Sequence, residues 1–382
     1  MVKYIGSKRL LIPAIVDAIR EAWGTRWSSG PPRVLDLFSG TSRVGHALKR
    51  AGCAVIANDH NAYAHTLARC YIQTDLTPRL SGQLSRLIAE LNELAASLPN
   101  VSLESATPTG GYIHDTFSLR SRFFHPSNGR RIDAARERIA KWSTAGRIDD
   151  DEEAVLLVSL MEAADRVDST TGLQMAYLKQ WAPRAFKPLS LRIPELLPRP
   201  QAGRCSAQSL DALAALATPA AATCDIAYID PPYNQHSYLG NYHIWESLVR
   251  WDKPEVYGIA CKRTDCRERK SAFNSRPAAR DALANVLAAA PAPILVVSFN
   301  DEGFTSRDDM EAMLARRGGA VEVVGHDFKR YVGAQIGIYN PSGDKVGKIG
   351  RLRNTEYLFI ARDAAQTPAA TWQRPFPALA TA

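Results

Sequence analysis

The sequence lacks the long apolar runs of membrane proteins and the paired cysteines of disulfide or zinc frameworks. No run approaches the roughly 20 apolar residues that span a bilayer, and the opening segment MVKYIGSKRL has no signal-peptide core. These absences predict a soluble, cytoplasmic protein without a membrane partner. The cysteines are scattered without CxxC spacing, which argues against a disulfide framework or a zinc ribbon and predicts free thiols. They are Cys53, Cys70, Cys205, Cys224, Cys261 and Cys266, and a metal at the last two is the less favoured alternative.

The composition is that of a folded globular protein with an excess of positive charge. Hydrophobic residues make up 46% and charged residues 23% of the 382 residues, enough to bury a core in one or two domains. The formal net charge of +8 favours a polyanionic partner, and residues 261–280 carry seven Lys or Arg against two acids. We interpret this basic segment as contacting phosphates, with an exposed mobile loop as the alternative. Its candidate phosphate contacts are Lys262, Arg263, Arg267, Arg269 and Lys270.

Apolar segments of strand type and helix type alternate in the first 75 residues. Residues 33–38 and 53–57 are short and apolar, as in buried strands, whereas residues 10–23, 44–50 and 63–71 have helical periodicity. This order predicts a parallel sheet wound with helices, which is an α/β fold. Further strands are predicted at residues 204–207, 225–229, 294–299, 320–324 and 357–361.

The alternation stops between residues 76 and 200, where a helical and loop-rich region is inserted. Helices are predicted there at residues 84–98, 132–142 and 152–167, and a loop-rich stretch at residues 99–128. The remaining residues, 1–75 and 201–363, are predicted to form the core domain. The Ala/Pro-rich tail over residues 364–382 is predicted to be weakly ordered.

Small residues follow the first predicted strand in the segment Asp36-Leu-Phe-Ser-Gly-Thr-Ser-Arg-Val-Gly45. The GxGxxG dinucleotide fingerprint is absent, but Gly40 lies where backbone passes close to a ligand at the carboxyl end of a strand. Asp59 follows the second strand, where an acid can accept hydrogen bonds from ribose hydroxyls. Together these residues predict an adenosine-bearing ligand. A helix N-cap is the alternative role for Asp59.

The segment Asp225-Ile-Ala-Tyr-Ile-Asp-Pro-Pro-Tyr-Asn234 carries the strongest chemical signal. An apolar strand delivers Asp230, and Pro231 and Pro232 stiffen the chain after it. A planar amine is a poor nucleophile, but the Asp230 carboxylate and the Pro231 carbonyl oxygen can accept its two hydrogens and direct its lone pair. Tyr233 offers a face for base stacking. The pattern predicts methylation of an amino group by direct displacement, with a structural Asp-Pro turn as the alternative.

Two weaker elements flank these motifs. The segment Tyr4-Ile-Gly-Ser-Lys8 has a glycine turn and a cation that could meet a cofactor carboxylate, although a solvated terminus has the same pattern. Aromatic and histidine side chains crowd the segment after Asn234, as in a base-stacking surface, and some of them must belong to the core. They are His236, Tyr238, Tyr242, His243 and Trp245.

Together these motifs resemble those of N6-adenine-specific DNA methyltransferases, a family that includes FokI-like modification methylases and Dam-type methylases. The resemblance covers nearly the whole chain. It implies S-adenosylmethionine as cofactor, duplex DNA as partner, and a Rossmann-like class I methyltransferase fold whose mostly parallel seven-stranded sheet ends in an antiparallel hairpin. The implied catalytic residues are Asp230, Pro231, Pro232 and Tyr233, and the implied cofactor-binding residues are Tyr4, Lys8, Asp36, Phe38, Gly40, Asp59, Gln208 and Asp230.

The inserted region and the last third of the chain extend the resemblance. Residues 111–118, 123–133, 162–167 and 176–181 are similar to the target-recognition region of the family, which adds Arg130 and Arg131 as candidate DNA contacts. Three late motifs complete the match, at residues 298–304, 328–331 and 356–359.

Two positions depart from the pattern of the family. The first turn reads Ser-Gly-Thr-Ser where many relatives keep a second glycine, so Thr41 or Ser42 must leave room for the cofactor. Gln208 and Ser209 stand where relatives often have an acid that touches the cofactor adenine.

The resemblance implies no metal, and it places the enzyme with the nucleoid in the cytoplasm of a prokaryotic cell or in a phage context. A partner restriction endonuclease is one possibility. The rival activities are methylation of an RNA base amino group and of a protein glutamine amide, whose tetrads usually begin with Asn. A DNA-binding relative without catalysis is the rival from another class.

Overall fold

The computed structural model describes residues 1–4, 8–329 and 353–364, and it has an α/β architecture. Its strands are β1 (Arg33–Asp36), β2 (Ala54–Asn58), β3 (Ser206–Gln208), β4 (Ile226–Ile229), β5 (Val256–Tyr257), β6 (Lys262–Arg263), β7 (Ile294–Asn300), β8 (Val321–Lys329) and β9 (Arg353–Arg362). Its α-helices are α1 (Ile12–Trp23), α2 (Arg43–Arg50), α3 (Ala62–Ala68), α4 (Pro78–Ser97), α5 (Tyr112–His114), α6 (Pro126–Thr144), α7 (Asp150–Arg166), α8 (Ala212–Leu216), α9 (Tyr238–Asn241), α10 (His243–Arg250), α11 (Ala279–Ala289) and α12 (Arg307–Ala315).

Seven strands form one sheet in the spatial order β3-β2-β1-β4-β7-β9-β8. The first five of these strands are parallel to one another, whereas β9 runs antiparallel to both β7 and β8. This arrangement confirms the predicted fold class, including the final antiparallel hairpin. In the described part of the chain no helix combines the length and apolar character needed to cross a bilayer.

Alternating residues of the strands face two separate hydrophobic cores. Val34 packs into a core with α1, α3, α10 and the inserted helices α4, α6 and α7, whereas Leu35 packs into a core with α8, α11 and α12. The alternation follows from the two-residue period of side chains along a strand. The inserted region therefore shares a core with one face of the sheet. Its boundaries at residues 76 and 200 stay a prediction.

The structure extends several predicted elements and corrects one. Helix α4 begins at Pro78 because the Thr77 side chain accepts the Leu80 amide, and α6 begins at Pro126. The stretch 99–128, predicted to be loop-rich, also contains the helical turns of residues 112–119. The Asp133 carboxylate accepts the amides of Ile113 and His114, both at 2.8 Å, so a distant residue stabilises these turns. The predicted tail lies outside the described residues apart from residue 364, as do residues 330–331 of the motif at 328–331.

Gln174 joins the inserted region to the segment that follows the Asp-Pro-Pro-Tyr tetrad. Its backbone amide donates to Asn241 O at 2.9 Å, and its carbonyl oxygen lies 2.9 Å from His243 Nε2. Its side-chain oxygen accepts the Ile244 amide at 2.8 Å, in the first turn of α10. Gln174 is buried, so these hydrogen bonds are shielded from water and fix α10 against the insertion.

Replacement of Gln174 by Ala is expected to destabilise the protein by about 1–3 kcal/mol, because it leaves the buried Ile244 amide without its partner. Urea unfolding followed by circular dichroism measures the change in the midpoint. Gln180→Ala, at an exposed position of the same loop, is the matched control. Equal midpoints for the two variants would contradict the assigned role of Gln174.

Candidate active site

Three acids lie at the carboxyl ends of neighbouring parallel strands. Asp36 ends β1, Asp59 follows β2 and Asp230 follows β4, and β1 pairs with both other strands. Parallel strands bring their carboxyl ends to one edge of a sheet, so three acids far apart in sequence converge there. A cavity of about 440 Å³ opens at this edge and is lined by all three acids.

The wall above β1 is the turn predicted to bind a nucleoside. Gly40 has a φ of +49° and Ser42 a φ of +61°, both in the left-handed region. The Gly40 amide donates to Asp59 Oδ2 at 3.0 Å, which ties this turn to the end of β2. A Cβ atom at Gly40 would lie 3.6 Å from the Tyr4 hydroxyl, so the turn and the N-terminal segment are in van der Waals contact.

Asp36 is a buried carboxylate at the end of β1. In the described part of the chain neither of its oxygens has a hydrogen-bond partner of good geometry. Burial, with the charges of Asp230 and Asp59, raises the pKa of Asp36 to about 8. A buried polar group without a well-aligned partner is costly, so the Asp36 carboxylate is available to a further hydrogen-bond donor.

Asp59 uses both carboxylate oxygens within the site. Oδ2 accepts the Gly40 amide, and Oδ1 accepts the Asn61 amide at 2.9 Å. Asn61, not Asp59, is the residue that immediately precedes α3, so the alternative role of Asp59 as helix N-cap is wrong. Burial raises the pKa of Asp59. Asp59 nevertheless lines the cavity beside Asp36.

The third wall follows β3 and is held by Asn58. The Asn58 side chain donates to Leu37 O at 3.2 Å and to Leu210 O at 3.1 Å, and it accepts the Leu210 amide at 3.1 Å. Leu210, Asp211 and Ala212 therefore line the cavity, whereas Gln208, proposed for the cofactor, does not. Because β3 ends at Gln208, the chain reaches the cavity only after that residue.

Two residues of the tetrad, Asp230 and Pro232, line the cavity at the end of β4, whereas Pro231 and Tyr233 do not. Asp230 Oδ1 lies 3.1 Å from Lys8 Nζ, and burial raises the pKa of Asp230 to about 6, although Lys8 opposes that rise. Pro231 is buried, while Pro232 lines the cavity. The Tyr233 ring lies 5.7 Å from Lys8 Nζ.

The N-terminal residues Tyr4 and Lys8 reach the site as predicted from their motif. The Tyr4 ring stacks on Tyr242 with centroids 4.5 Å apart and on Tyr238 at 5.2 Å, and its hydroxyl shares a 3.1 Å hydrogen bond with that of Tyr63. Lys8 is buried and pairs with two protein carboxylates, Asp230 and Glu356. Contact of Lys8 with a cofactor carboxylate stays a prediction.

The structure divides the proposed base-stacking surface. Tyr242, His243 and Trp245 are buried in the core, so they cannot stack on a base. Tyr238 lines the cavity, and His236 is exposed. His243 and Trp245 lie on α10, a helix in which every residue except Arg250 is buried.

The basic segment forms a wall of the cavity, which the sequence did not reveal. Arg269 donates to the buried carboxylate of Glu246 at 2.8 Å, and Phe273 packs edge-on against Phe38 at 5.2 Å. Asn274 Nδ2 donates to the carbonyl oxygen of Asn234, beside the tetrad, at 2.7 Å. Residues 269–274 all line the cavity.

Two predicted DNA contacts are wrong because their guanidinium groups are buried. Arg263 is 2% exposed and forms paired 2.7 Å hydrogen bonds with Asp252. Arg131 donates to Ala95 O at 3.0 Å and to Asn100 Oδ1 at 2.8 Å. Both arginines satisfy internal acceptors and are not available to phosphates. The remaining candidates keep some exposure, and their DNA contacts stay a prediction; they are Lys262, Arg267, Arg269, Lys270 and Arg130.

Comparison with known proteins identifies the family. The sequence pattern of D12 class N6 adenine-specific DNA methyltransferases matches residues 4–296. The type II methyltransferase M.NlaIII of Neisseria lactamica is 30% identical over 86% of this chain and 92% of its own length. The modification methylase StsI of Streptococcus sanguinis is 27% identical over 86% of this chain, and M.FokI of Planomicrobium okeanokoites is 28% identical over 83%.

The chain spans about half the length of two of these relatives, 48% of StsI and 47% of M.FokI. No solved structure was found to match it. The family predicted from the motifs is nevertheless confirmed, because the match begins at Tyr4 and includes the turn after β1, the inserted region and the tetrad. This chain belongs to the D12 class of N6 adenine-specific DNA methyltransferases.

Proposed function

We propose that this protein transfers a methyl group from S-adenosylmethionine to the N6 amino group of adenine at a specific sequence in duplex DNA. The observation that carries the proposal is the position of Asp230 on the floor of a cavity whose walls hold Asp36 and Asp59. An acid suited to an amine acceptor thus lies beside acids suited to a nucleoside cofactor. The family and the relatives named as modification methylases support the same activity.

The cavity fits the proposed cofactor in size and in chemistry. A volume of about 440 Å³ lies within the range of small-molecule sites. The unpartnered Asp36 carboxylate would accept the α-ammonium group, and Asp59, at the end of β2, would accept the ribose hydroxyls. Tyr4, Phe38 and Gly40 would line the remaining wall. When bound there, the cofactor supplies an electrophilic methyl group on a sulfonium.

The tetrad supplies acceptors for the target amine. The Asp230 carboxylate and the Pro231 carbonyl oxygen, to which no described residue donates a hydrogen bond, would accept the two amino hydrogens. This arrangement directs the nitrogen lone pair toward the methyl carbon. The amine would thereby face the methyl group that the bound cofactor would supply, and the Asp230 carboxylate would take the proton that the methylated nitrogen releases. Tyr233 would stack on the base, which must leave the duplex to reach the site.

Loss of the Asp230 carboxylate is expected to abolish the modification. DNA from cells that express the protein should contain 6-methyladenine at one short sequence, and DNA from cells that express Asp230→Ala should not. In vitro, kcat should fall by about 10²–10³-fold or more. Asp281→Asn, an exposed acid on α11, is the control. Methylated cytosine in the sequenced DNA would overturn the choice of base, and wild-type turnover by Asp230→Ala would overturn the mechanism.

Asp36 is expected to govern cofactor affinity and to release a proton on binding. With a pKa of about 8, Asp36 is mostly protonated at pH 7, and a bound ammonium group favours its ionised form. Calorimetry of S-adenosylmethionine binding in buffers of different ionisation enthalpy counts that proton. Asp36→Asn should weaken binding about tenfold or more and remove the proton release. Unchanged affinity in Asp36→Asn would exclude the ammonium contact.

We also propose that exposed basic side chains around the cavity contact DNA phosphates. Arg267 is the sharpest case, because it is exposed and its guanidinium stacks on Tyr257 at 3.9 Å from the ring centroid. Arg269 and Lys270 also line the cavity, so their positions suit contact with the cofactor as well as with DNA phosphates.

Arg267→Ala is expected to weaken DNA binding and to lower the slope of log affinity against log salt by about one, because one phosphate contact is lost. Fluorescence anisotropy with a duplex oligonucleotide at several salt concentrations measures both quantities. Arg20→Ala removes an exposed arginine on α1 and serves as control. A slope equal to that of the control would remove Arg267 from the DNA interface.

The proposal includes a partner endonuclease and action in a prokaryotic or viral setting. Relatives named modification methylases or type II methyltransferases support a role beside an endonuclease that cleaves the same sequence. The relatives come from bacteria and from a chlorella virus, which supports action on DNA in a prokaryotic or viral setting.

A further inference from the structure

Lys8 lies between two carboxylates that come from distant parts of the chain. Its Nζ atom is 3.1 Å from Asp230 Oδ1 and also forms an ion pair with Glu356 on β9. The Lys8 and Glu356 side chains are each only 7% exposed. The catalytic candidate Asp230 therefore shares its cation with a second acid, which has no role in the function proposed above.

Glu356 is held in place by two polar side chains of β7. Ser298 Oγ donates to Glu356 Oε1 at 2.9 Å, and Asn300 Nδ2 donates to Glu356 Oε2 at 3.2 Å. Asn300 and Glu356 are directly opposed in the antiparallel pairing of β7 and β9. The late motifs that contain Ser298 and Glu356 thus meet in space and orient one buried carboxylate.

The position of the Lys8 ammonium depends on this second acid. With both acids present, the cation is shared, and the Asp230 side chain keeps 19% of its surface exposed. With Glu356 uncharged, Asp230 would be the only carboxylate among the described residues that pairs with Lys8. The ammonium would then close on Asp230 and compete with any amine for its oxygens, because opposite charges attract strongly in a buried site.

We propose that Glu356 is a positioning residue for methyl transfer, which holds the Lys8 ammonium partly away from Asp230 and leaves an Asp230 oxygen open to the target amine. This inference rests on the proposed function. The late motifs would thus act through Lys8 to set the charge of the Asp230 carboxylate and its accessibility to the amine.

The charges around Asp230 predict how its pKa changes when the Glu356 charge is removed. Burial raises the pKa of Asp230, Lys8 lowers it and Glu356 raises it. The other titratable groups that face Asp230 are Asp36 on β1, Tyr228 on β4, Tyr233 in the tetrad and Tyr238 on α9. Removing the Glu356 charge takes away a like charge and frees Lys8 for Asp230, and both changes lower the pKa of Asp230.

The test compares the pH dependence of kcat in the wild type and in Glu356→Gln, whose amide keeps an acceptor for Ser298 but lacks the charge. Wild-type kcat should fall as the pH drops through about 6, because only ionised Asp230 accepts the amine hydrogen. In Glu356→Gln this fall should shift down by about one pH unit. The plateau kcat should drop about tenfold while the KM for DNA stays unchanged, since the ground-state contacts are retained.

Two variants separate positioning from loss of structure. Glu356→Asp keeps the charge, so the acidic fall should return close to its wild-type position. Glu322→Gln removes another ion-paired acid of the same hairpin, partnered by Arg362, and should leave the profile unchanged. If Glu356→Gln does not fold, Ser298→Ala loosens the carboxylate instead and should lower kcat several-fold without a change in KM.

The inference would be overturned if kcat of Glu356→Gln kept its wild-type plateau and fell at the same acidic pH as the wild type. It would also be overturned if Glu322→Gln showed the same shift in the pH dependence of kcat. Wild-type kcat in Ser298→Ala would do the same where Glu356→Gln cannot be studied. Failure of the proposed function has a different signature, because the wild-type protein itself would then methylate no adenine. Carbon-13 NMR of the Asp230 carboxyl, identified by its loss in Asp230→Asn, gives the pKa without turnover.

Discussion

The parallel pairing of β1 with β2 and β4 is the constraint on which the site depends. Parallel strands need helical crossovers, and they leave all their carboxyl ends at one edge of the sheet. Asp36, Asp59 and Asp230 are therefore brought together by backbone geometry and not by sequence proximity. Their shared burial then raises the pKa of each, which makes cations and hydrogen-bond donors the favoured occupants of the cavity.

The three acids of the cavity differ in their hydrogen-bond and ion-pair partners. Asp59 is satisfied by backbone amides, Asp230 is paired with Lys8, and Asp36 has no well-aligned hydrogen-bond partner among the described residues. The three acids consequently suit different tasks, because only an unpartnered carboxylate has its full capacity available to a ligand.

The inserted region and the basic segment connect the surroundings of the cavity to its floor. Gln174 fixes the start of α10 from the insertion, and Asn274 bonds the backbone after the tetrad from the basic segment. Both contacts fall within the residues that follow Tyr233. A movement of either region would thus act directly on the segment next to the catalytic candidates.

The sequence by itself determined the strands of the seven-stranded sheet, the family and the residues at the strand ends. Apolar periodicity and turn chemistry are local properties, so β1, β2 and β4 and the acids that follow them could be read before the structure was known. Tertiary structure alone decided which charges are exposed. Arg263 and Arg131 look like surface cations in sequence, but their partners Asp252 and Ala95 belong to other segments that fold against them. Glu356 acquires its place beside Lys8 only when β9 pairs with β7, because the pairing of distant segments leaves no local pattern in the chain.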